Sequence, residues 1–250
     1  MDRKEINLDT SRDYHIACLD GSSVGQTAII LCLHGFTGSK HSPTIEKLHG
    51  VMKNKRIGTF AFDWPGHGRS DAPFSALTVE NCMQDMDTVY KYIHEKYGVP
   101  IWCFATSLGG YLAMNYHLRH PEAFEKLLLR SPALKMAEVM KAAMSEDRFA
   151  RLMKGEKVDF GHDQPLLLTK DYYDDLCAHD IFDEAPPYPE KILIIHGDKD
   201  ETVPIHYSED YAGKNGIALH ILKDAGHEYD NPGDQEWIMK EALEFFPCAR

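Results

Sequence analysis

The feature that most constrains this sequence is an alternation of short apolar runs with longer amphipathic segments along almost the whole chain. Residues 28–33, Ala-Ile-Ile-Leu-Cys-Leu, are wholly apolar, which is typical of a strand buried on both faces. The segment that starts at Thr78 opens with a helix-capping signal and keeps a helical pattern to about Lys96. Strands that alternate with helices of this length predict an α/β protein with a mostly parallel sheet covered on both faces.

We predict the first two strands to pair across a polar turn, and most of the later strands to be separated by helices. We predict strands at Glu5–Leu8, Tyr14–Leu19, Ala28–Leu33, Gly58–Phe62, Ile101–Ala105, Lys126–Arg130, Lys191–Ile195 and Ala218–Leu222. We predict helices at Pro43–Lys55, Thr78–Lys96, Leu108–Arg119, His206–Lys214 and Asp234–Phe246.

Residues 132–190 interrupt this alternation. We expect them to form a cap inserted into the single domain of residues 1–250, above the carboxyl edge of the sheet. Methionines four residues apart in the first predicted helix indicate either packing against the body or an adaptable wall for an acyl or aryl group. The predicted cap elements are a helix at Leu134–Met144, a hairpin of Lys157–Phe160 and Gln164–Leu168 around Gly161-His162-Asp163, and a helix at Asp171–Ala178.

Composition excludes several classes of protein. The chain has 250 residues, 43% of them apolar and 26% charged, which fits one globular domain. A formal net charge of −12 argues against nucleic acid as a partner and against stable docking on an anionic membrane. Six cysteines without a C-x-x-C pair, and an N-terminus without an apolar run, favour the cytoplasm. Without H-E-x-x-H or similar ligand spacing, we expect neither a metal nor a cofactor.

Ser107 is the candidate nucleophile. It lies in Ala105-Thr106-Ser107-Leu108-Gly109-Gly110, between a buried strand and a long helix. Small residues two positions before and after the serine allow a sharp turn that exposes its Oγ at the sheet edge. The alternative interpretation of such a short pattern is a structural serine that caps the helix.

A glycine-rich loop follows the strand at residues 28–33. Its sequence is His34-Gly35-Phe36-Thr37-Gly38, and the glycines allow a backbone N–H to point into the site. The N–H groups of Phe36 and Leu108 are the candidate donors of an oxyanion hole. A simple turn after a strand is the alternative, and we expect His34 to brace the loop.

The candidate base is His227, which follows the last strand in Ala225-Gly226-His227 and is the one of 14 histidines placed to reach Ser107. The loop after the strand at 191–195 carries Asp198, Asp200 and Glu201, so composition leaves the orienting acid ambiguous. A serine hydroxyl is a poor nucleophile at neutral pH, and an imidazole held by a carboxylate can take its proton. The order serine, acid, histidine fits a serine hydrolase built on such a sheet.

Together these segments resemble the α/β-hydrolase superfamily, and the resemblance covers nearly the whole chain. The chain is most similar to small bacterial esterases, including cinnamoyl and feruloyl esterases and monoacylglycerol lipases. The resemblance implies Asp200 as the acid, ahead of Asp198. Two departures weaken the assignment to a subfamily: Ala105 replaces a glycine, and Thr106 stands where histidine is common. The five matching segments are 34–38, 63–70, 105–110, 196–204 and 226–227.

The expected activity is hydrolysis of carboxylic esters with small acyl or aryl groups, hydroxycinnamoyl among them, through an acyl-enzyme intermediate. Serine at position 107, where dehalogenases and epoxide hydrolases of this fold carry aspartate, argues against those two reactions. A monoacylglycerol lipase, a thioesterase, a peptidase and a carbon–carbon bond hydrolase remain alternatives on the same triad. A ligand receptor that retains a hydrolase body is the alternative from another class, since fold alone does not fix function. The expected partner is a small-molecule ester, and the sequence is silent on the oligomeric state.

Overall fold

A single eight-stranded sheet organises the protein in a computed structural model that describes residues 3–161 and 165–246. The strand order is β1-β2-β4-β3-β5-β6-β9-β10, with β1 and β2 antiparallel to their neighbours and the other pairs parallel. Its strands are β1 Lys4–Asp9, β2 His15–Asp20, β3 Ala28–Leu33, β4 Ile57–Phe62, β5 Ile101–Thr106, β6 Leu127–Arg130, β9 Ile192–Gly197 and β10 Ala218–Leu222. The predicted fold class is confirmed.

Helices cover both faces of this sheet. Alternate residues of the central strands enter two separate apolar clusters, one on each face, because side chains alternate across a strand. One face packs against α1 and α8, and the other against α2, α3 and α7. The helices of the body are α1 Pro43–Lys53, α2 Val79–Tyr97, α3 Leu108–Arg119, α7 His206–Asn215 and α8 Asp234–Phe245.

The segment between β6 and β9 forms small elements next to the carboxyl edge. The helix expected at residues 134–144 is shorter, and α5 was not predicted, although Ser145 caps it by accepting from the N–H of Arg148. The two predicted hairpin segments pair as β7 and β8, while His162, Asp163 and Gln164 lie outside the described residues. The elements are α4 Met136–Ala142, α5 Glu146–Met153, β7 Val158–Asp159, β8 Leu167–Leu168 and α6 Lys170–Ala178.

Within the described ranges, no helix carries an apolar stretch long enough to cross a bilayer.

Candidate active site

Ser107 occupies a strained turn between β5 and α3. Its backbone has φ 52° and ψ −115°, a conformation that L-residues rarely adopt and that costs about 1–3 kcal/mol. Its side chain makes no capping hydrogen bond to the helix, so a structural N-cap does not account for it. The helix packs closely on β3: a Cβ at Gly109 would lie 2.6 Å from the carbonyl oxygen of Leu33, so only glycine fits there.

The loop after β3 lies directly against this turn. A Cβ at Gly35 would lie 3.2 Å from the Cβ of Ser107. The carbonyl oxygen of Gly35 accepts from the N–H of Gly38 at 3.1 Å, and it lies 2.8 Å from Nδ1 of His34. His34 is buried, its Nε2 accepts from the N–H of Trp64 at 3.2 Å, and so it braces the loop.

Asp200 is buried on the loop after β9 and is held through both oxygens. Oδ1 accepts from the N–H of Thr202 at 3.0 Å and from that of Val203 at 2.7 Å. Oδ2 lies 2.7 Å from Nδ1 of His227 and 3.1 Å from Nε2 of His196. Because a carboxylate only accepts, the proton of His227 is on Nδ1, which leaves Nε2 free to accept.

The ionised form of Asp200 is strongly favoured. Burial raises the pKa of Asp200, but hydrogen bonds from His196, His227 and the N–H of Val203 outweigh burial and hold the pKa well below its ordinary range. A carboxylate that stays ionised and ordered can fix the tautomer of an imidazole and stabilise its protonated form.

Asp198, the other candidate acid, binds a different group. Its Oδ1 accepts from the backbone N–H of Asp224 at 2.6 Å, which ties the loop after β9 to the loop after β10. The structure therefore brings Asp200, and not Asp198, to the imidazole of His227.

Ser107 and His227 line the same cleft at the carboxyl edge of the sheet. Among the described residues, the Ser107 hydroxyl forms no hydrogen bond with the imidazole, whose Nδ1 is bonded to Asp200. Such serine–histidine bonds are often long before substrate binds and tighten in the reacting complex.

The cleft has a volume of about 1270 Å³, and its lining includes two groups of residues of different chemistry. We call the apolar residues from the loop after β3 and the segment between β6 and β9 the apolar arm. We call the polar residues from α1, from α8 and from the loop before α8 the polar arm. Both Met136 and Met140 line the cleft and pack in the core, whereas Met144 packs in the core without lining the cleft. The apolar arm includes Phe36, Met136, Val139, Met140, Ala143 and Phe160, and the polar arm includes Thr44, Lys47, Asn231, Gln235 and Glu236.

Two further polar residues at the carboxyl edge of the sheet were not identified from the sequence. His196 donates from Nε2 to the carbonyl oxygen of Val203 at 2.9 Å, so its Nδ1 accepts the Ser208 hydroxyl at 2.8 Å. Arg130, the last residue of β6, is buried and lines the cleft. Both follow the rule that functional side chains come at the carboxyl ends of strands, which could have identified them.

Comparison with known proteins identifies the family of this chain. The sequence profile described as "Serine aminopeptidase, S33", of the hydrolases, matches residues 25–180. A Bacillus subtilis protein provisionally named 2-succinyl-6-hydroxy-2,4-cyclohexadiene-1-carboxylate synthase is 30% identical over 145 residues, which are 57% of this chain. That match spans about half (51%) of the relative's own length.

Solved structures share the fold over nearly the full chain. Est1E of Butyrivibrio proteoclasticus with ferulic acid bound superposes with a TM-score of 0.84 at 21% identity, covering 96% of this chain and 97% of that one. A monoacylglycerol lipase of Paleococcus ferrophilus gives 0.67 at 20% identity, with 94% and 98% covered. Mouse alpha/beta hydrolase domain-containing protein 10 gives 0.79 at 17%, with 97% and 98% covered. The protein has the α/β-hydrolase fold, and from the match over residues 25–180 the chain belongs to the serine aminopeptidase S33 family of hydrolases.

Proposed function

We propose that this protein hydrolyses carboxylic esters through an acyl-enzyme, with Ser107 as nucleophile, His227 as base and Asp200 as the acid that orients the base. The observation that carries the proposal is a strained serine at the strand–helix turn that lines one cleft with an imidazole anchored by a buried carboxylate. Each of these features has a cost in stability, and together they suit nucleophilic catalysis.

The chemistry proceeds in two halves. Oγ of Ser107 attacks the ester carbonyl carbon, and its proton passes to Nε2 of His227. The tetrahedral intermediate collapses, the alcohol oxygen takes that proton and leaves, and an acyl-serine remains. Water then gives a proton to His227 as its oxygen attacks the acyl carbon, and the acid is released as the proton returns to Ser107. Asp200 stays ionised throughout and stabilises the imidazolium.

The N–H groups of Phe36 and Leu108 are the proposed oxyanion donors. Leu108 is the first residue of α3, where a backbone N–H has no partner within the helix. The carbonyl of Gly35 is turned toward Gly38, and a trans peptide places the following N–H, that of Phe36, on the opposite side. Two such donors stabilise the developing charge by roughly 3–4 kcal/mol each.

The two arms of the cleft suit the two halves of an ester. The apolar arm favours a small acyl or aryl group, because methionine and aromatic walls contact apolar groups and adapt to their shape. Est1E, which shares the fold, was solved with ferulic acid bound, and this supports hydroxycinnamoyl esters as one substrate class. The polar arm, which includes Lys47 and Gln235, suits a hydroxylated leaving group.

A fluorophosphonate probe tests the nucleophile. The protein should be labelled at Ser107, and Ser107→Ala should lose both labelling and ester hydrolysis, while Ser145→Ala, a serine that caps α5, should keep both. A Ser107→Ala protein that still hydrolyses esters, or a folded protein that neither labels nor turns over any ester, would reject the proposal. The second result would favour the ligand receptor.

A substrate panel tests the acyl group. The panel contains p-nitrophenyl esters of increasing chain length, a methyl hydroxycinnamate, an acyl thioester and an aminoacyl p-nitroanilide. We expect the highest kcat/KM for short acyl or hydroxycinnamoyl esters. A preference for chains of ten or more carbons would point to a lipase, and a preference for the thioester or the anilide would point to a thioesterase or a peptidase.

A further inference from the structure

Arg130 is a buried cation beside the proposed base, and in the described part of the chain no carboxylate lies within ion-pair distance of it. It is 5% exposed, and none of the ion pairs within residues 3–161 and 165–246 includes it. The carboxylates of Glu228, Asp200 and Asp230 act on Arg130 from beyond ion-pair distance, and burial still lowers the pKa of the guanidinium. Burying a charge without a paired counter-charge is unfavourable by several kcal/mol, so other contacts or function must retain such a residue.

The side-chain contacts of Arg130 lead to the loop that carries His227, while its backbone carbonyl accepts from the N–H of Ser107 at 3.0 Å. Its Nη2 donates a hydrogen bond to the backbone carbonyl oxygen of His227. Its guanidinium carbon lies 4.7 Å from the ring centroid of Tyr229, within the range of a cation–π contact. The adjacent Ser131 adds a second link, because its Oγ lies 3.3 Å from the hydroxyl of Tyr229.

The loop at residues 226–229 is anchored at its far end, where Tyr229 is buried and Nε2 of Gln235 lies 3.5 Å and 3.3 Å from the carbonyl oxygens of Glu228 and Tyr229. The turn bond from the N–H of Tyr229 to the carbonyl of Gly226 is long, at 3.3 Å, and Tyr229 has a φ of 55°. Asp200 holds one nitrogen of the imidazole and leaves the backbone of His227 unfixed. A ring held at one atom can still swing about that bond.

We propose that Arg130 is a positioning residue that fixes the backbone of His227, so that Asp200 and Arg130 together set the direction of Nε2. The proposal rests on the proposed function, in which His227 is the base. A guanidinium suits this place, because it is planar and can lie over the Tyr229 ring while its edge donates to a carbonyl. A lysine ammonium has no such plane, and an apolar side chain has no donor.

The test compares Arg130→Ala and Arg130→Lys with the wild type on a neutral p-nitrophenyl ester. A displacement of about 1 Å at a reacting group can lower the rate about 10²-fold, so we expect kcat of Arg130→Ala to fall about 10- to 100-fold. KM should change less than about threefold, because Arg130 is 5% exposed and its guanidinium is engaged by the His227 carbonyl and the Tyr229 ring. Arg130→Lys should recover only part of kcat. Arg151→Met, at an exposed arginine paired with Glu156, is the matched control and should keep the wild-type kcat.

Chemical rescue separates positioning from general stability. Guanidinium chloride at about 50 mM should restore kcat of Arg130→Ala at least a few-fold, whereas urea at the same concentration should not, because urea has the shape without the charge. If Arg130→Ala does not fold, Arg130→Gln replaces it, with the same expected split between kcat and KM.

The proposal is overturned if kcat is unchanged in a folded variant, if KM rises while kcat holds, or if guanidinium and urea act alike. In each of these cases the proposed function still stands, provided that ester hydrolysis by the wild type depends on Ser107. Hydrolysis that survives in Ser107→Ala would instead remove the proposed function, and this inference with it.

Discussion

Two buried carboxylates at the same edge of the sheet invite comparison. Asp200, after β9, and Asp63, after β4, both have side chains with no exposed surface, and both accept through both oxygens. Asp63 accepts from the N–H of Lys40 at 2.7 Å, from its Nζ at 2.6 Å and from the N–H of Arg69 at 2.8 Å. Asp200 accepts instead from two backbone N–H groups and two imidazoles.

The two regions differ in whether the partner of the carboxylate is accessible from the cleft. The side chain of Lys40 is fully buried, so the pair with Asp63 is closed and ties the loop at residues 34–40 to the loop after β4. The imidazole of His227 is 12% exposed and has a second nitrogen free at the cleft, so the pair with Asp200 is open to substrate. The same carboxylate chemistry therefore serves packing in one region and suits proton transfer in the other.

The largest expected effect is a loss of activity when the carboxylate of Asp200 is replaced. In Asp200→Asn the amide oxygen stays on the N–H groups of Thr202 and Val203, so the NH₂ faces Nδ1 of His227. The proton of the imidazole then moves to Nε2, the nitrogen that must accept from Ser107, and kcat should fall about 10³- to 10⁴-fold. Steady-state kinetics check this. Asp198→Asn is the matched control, with a change below about threefold, and equal losses in both variants would contradict the assignment.

The second largest effect is a loss of stability when the carboxylate of Asp63 is replaced. Asp63→Asn removes the nearer partner of the buried Lys40 ammonium and leaves it only the part-exposed carboxylate of Glu5 at 3.4 Å, so the free energy of unfolding should fall by about 3 kcal/mol. The control is Asp183→Asn, in an exposed pair with Lys214, which should lose no more than about 1 kcal/mol. Urea unfolding gives these values. Active-site titration should show kcat per folded molecule within about tenfold of wild type, and a loss as large as that of Asp200→Asn would erase the distinction.

The smallest effect is a pH dependence in the region of Asp63. Burial, with a smaller contribution from the neighbouring His67, lowers the pKa of His34 well below 6.5. The unfolded chain therefore binds a proton at His34 at higher pH than the folded protein does. The stability contributed by neutral, buried His34 is fully present above about pH 6.5 and is lost as the pH falls. Between pH 7.5 and 5.5 the wild type should lose about 1.4 kcal/mol more than His34→Gln. Parallel unfolding curves at the two pH values would show that His34 does not titrate in this way.

Periodicity predicted the body of the fold well because the central strands β3, β4, β5, β6 and β9 are buried on both faces and helices such as α1 and α2 are amphipathic. The bounds of β3, β10 and α3 match the predicted ranges. The segment between β6 and β9 was harder to predict, because its strands are two residues long and its helices are short, so little periodic signal accumulates. The helix α5 was missed, although Ser145 followed by two acidic residues is a usual helix start.

Local patterns of residues were enough to identify the candidates: a serine in a strand–helix turn, a histidine after the last strand, and a loop with three acidic residues. Which carboxylate contacts the imidazole follows only from the folded arrangement, because it depends on which oxygens the surrounding N–H groups hold. Asp198 accepts from the N–H of Asp224, and Asp200 lies against His227. The folded arrangement also places Arg130 behind His227, 97 residues away along the chain. Contacts of this range follow from strand order in the sheet, which local patterns of residues do not encode.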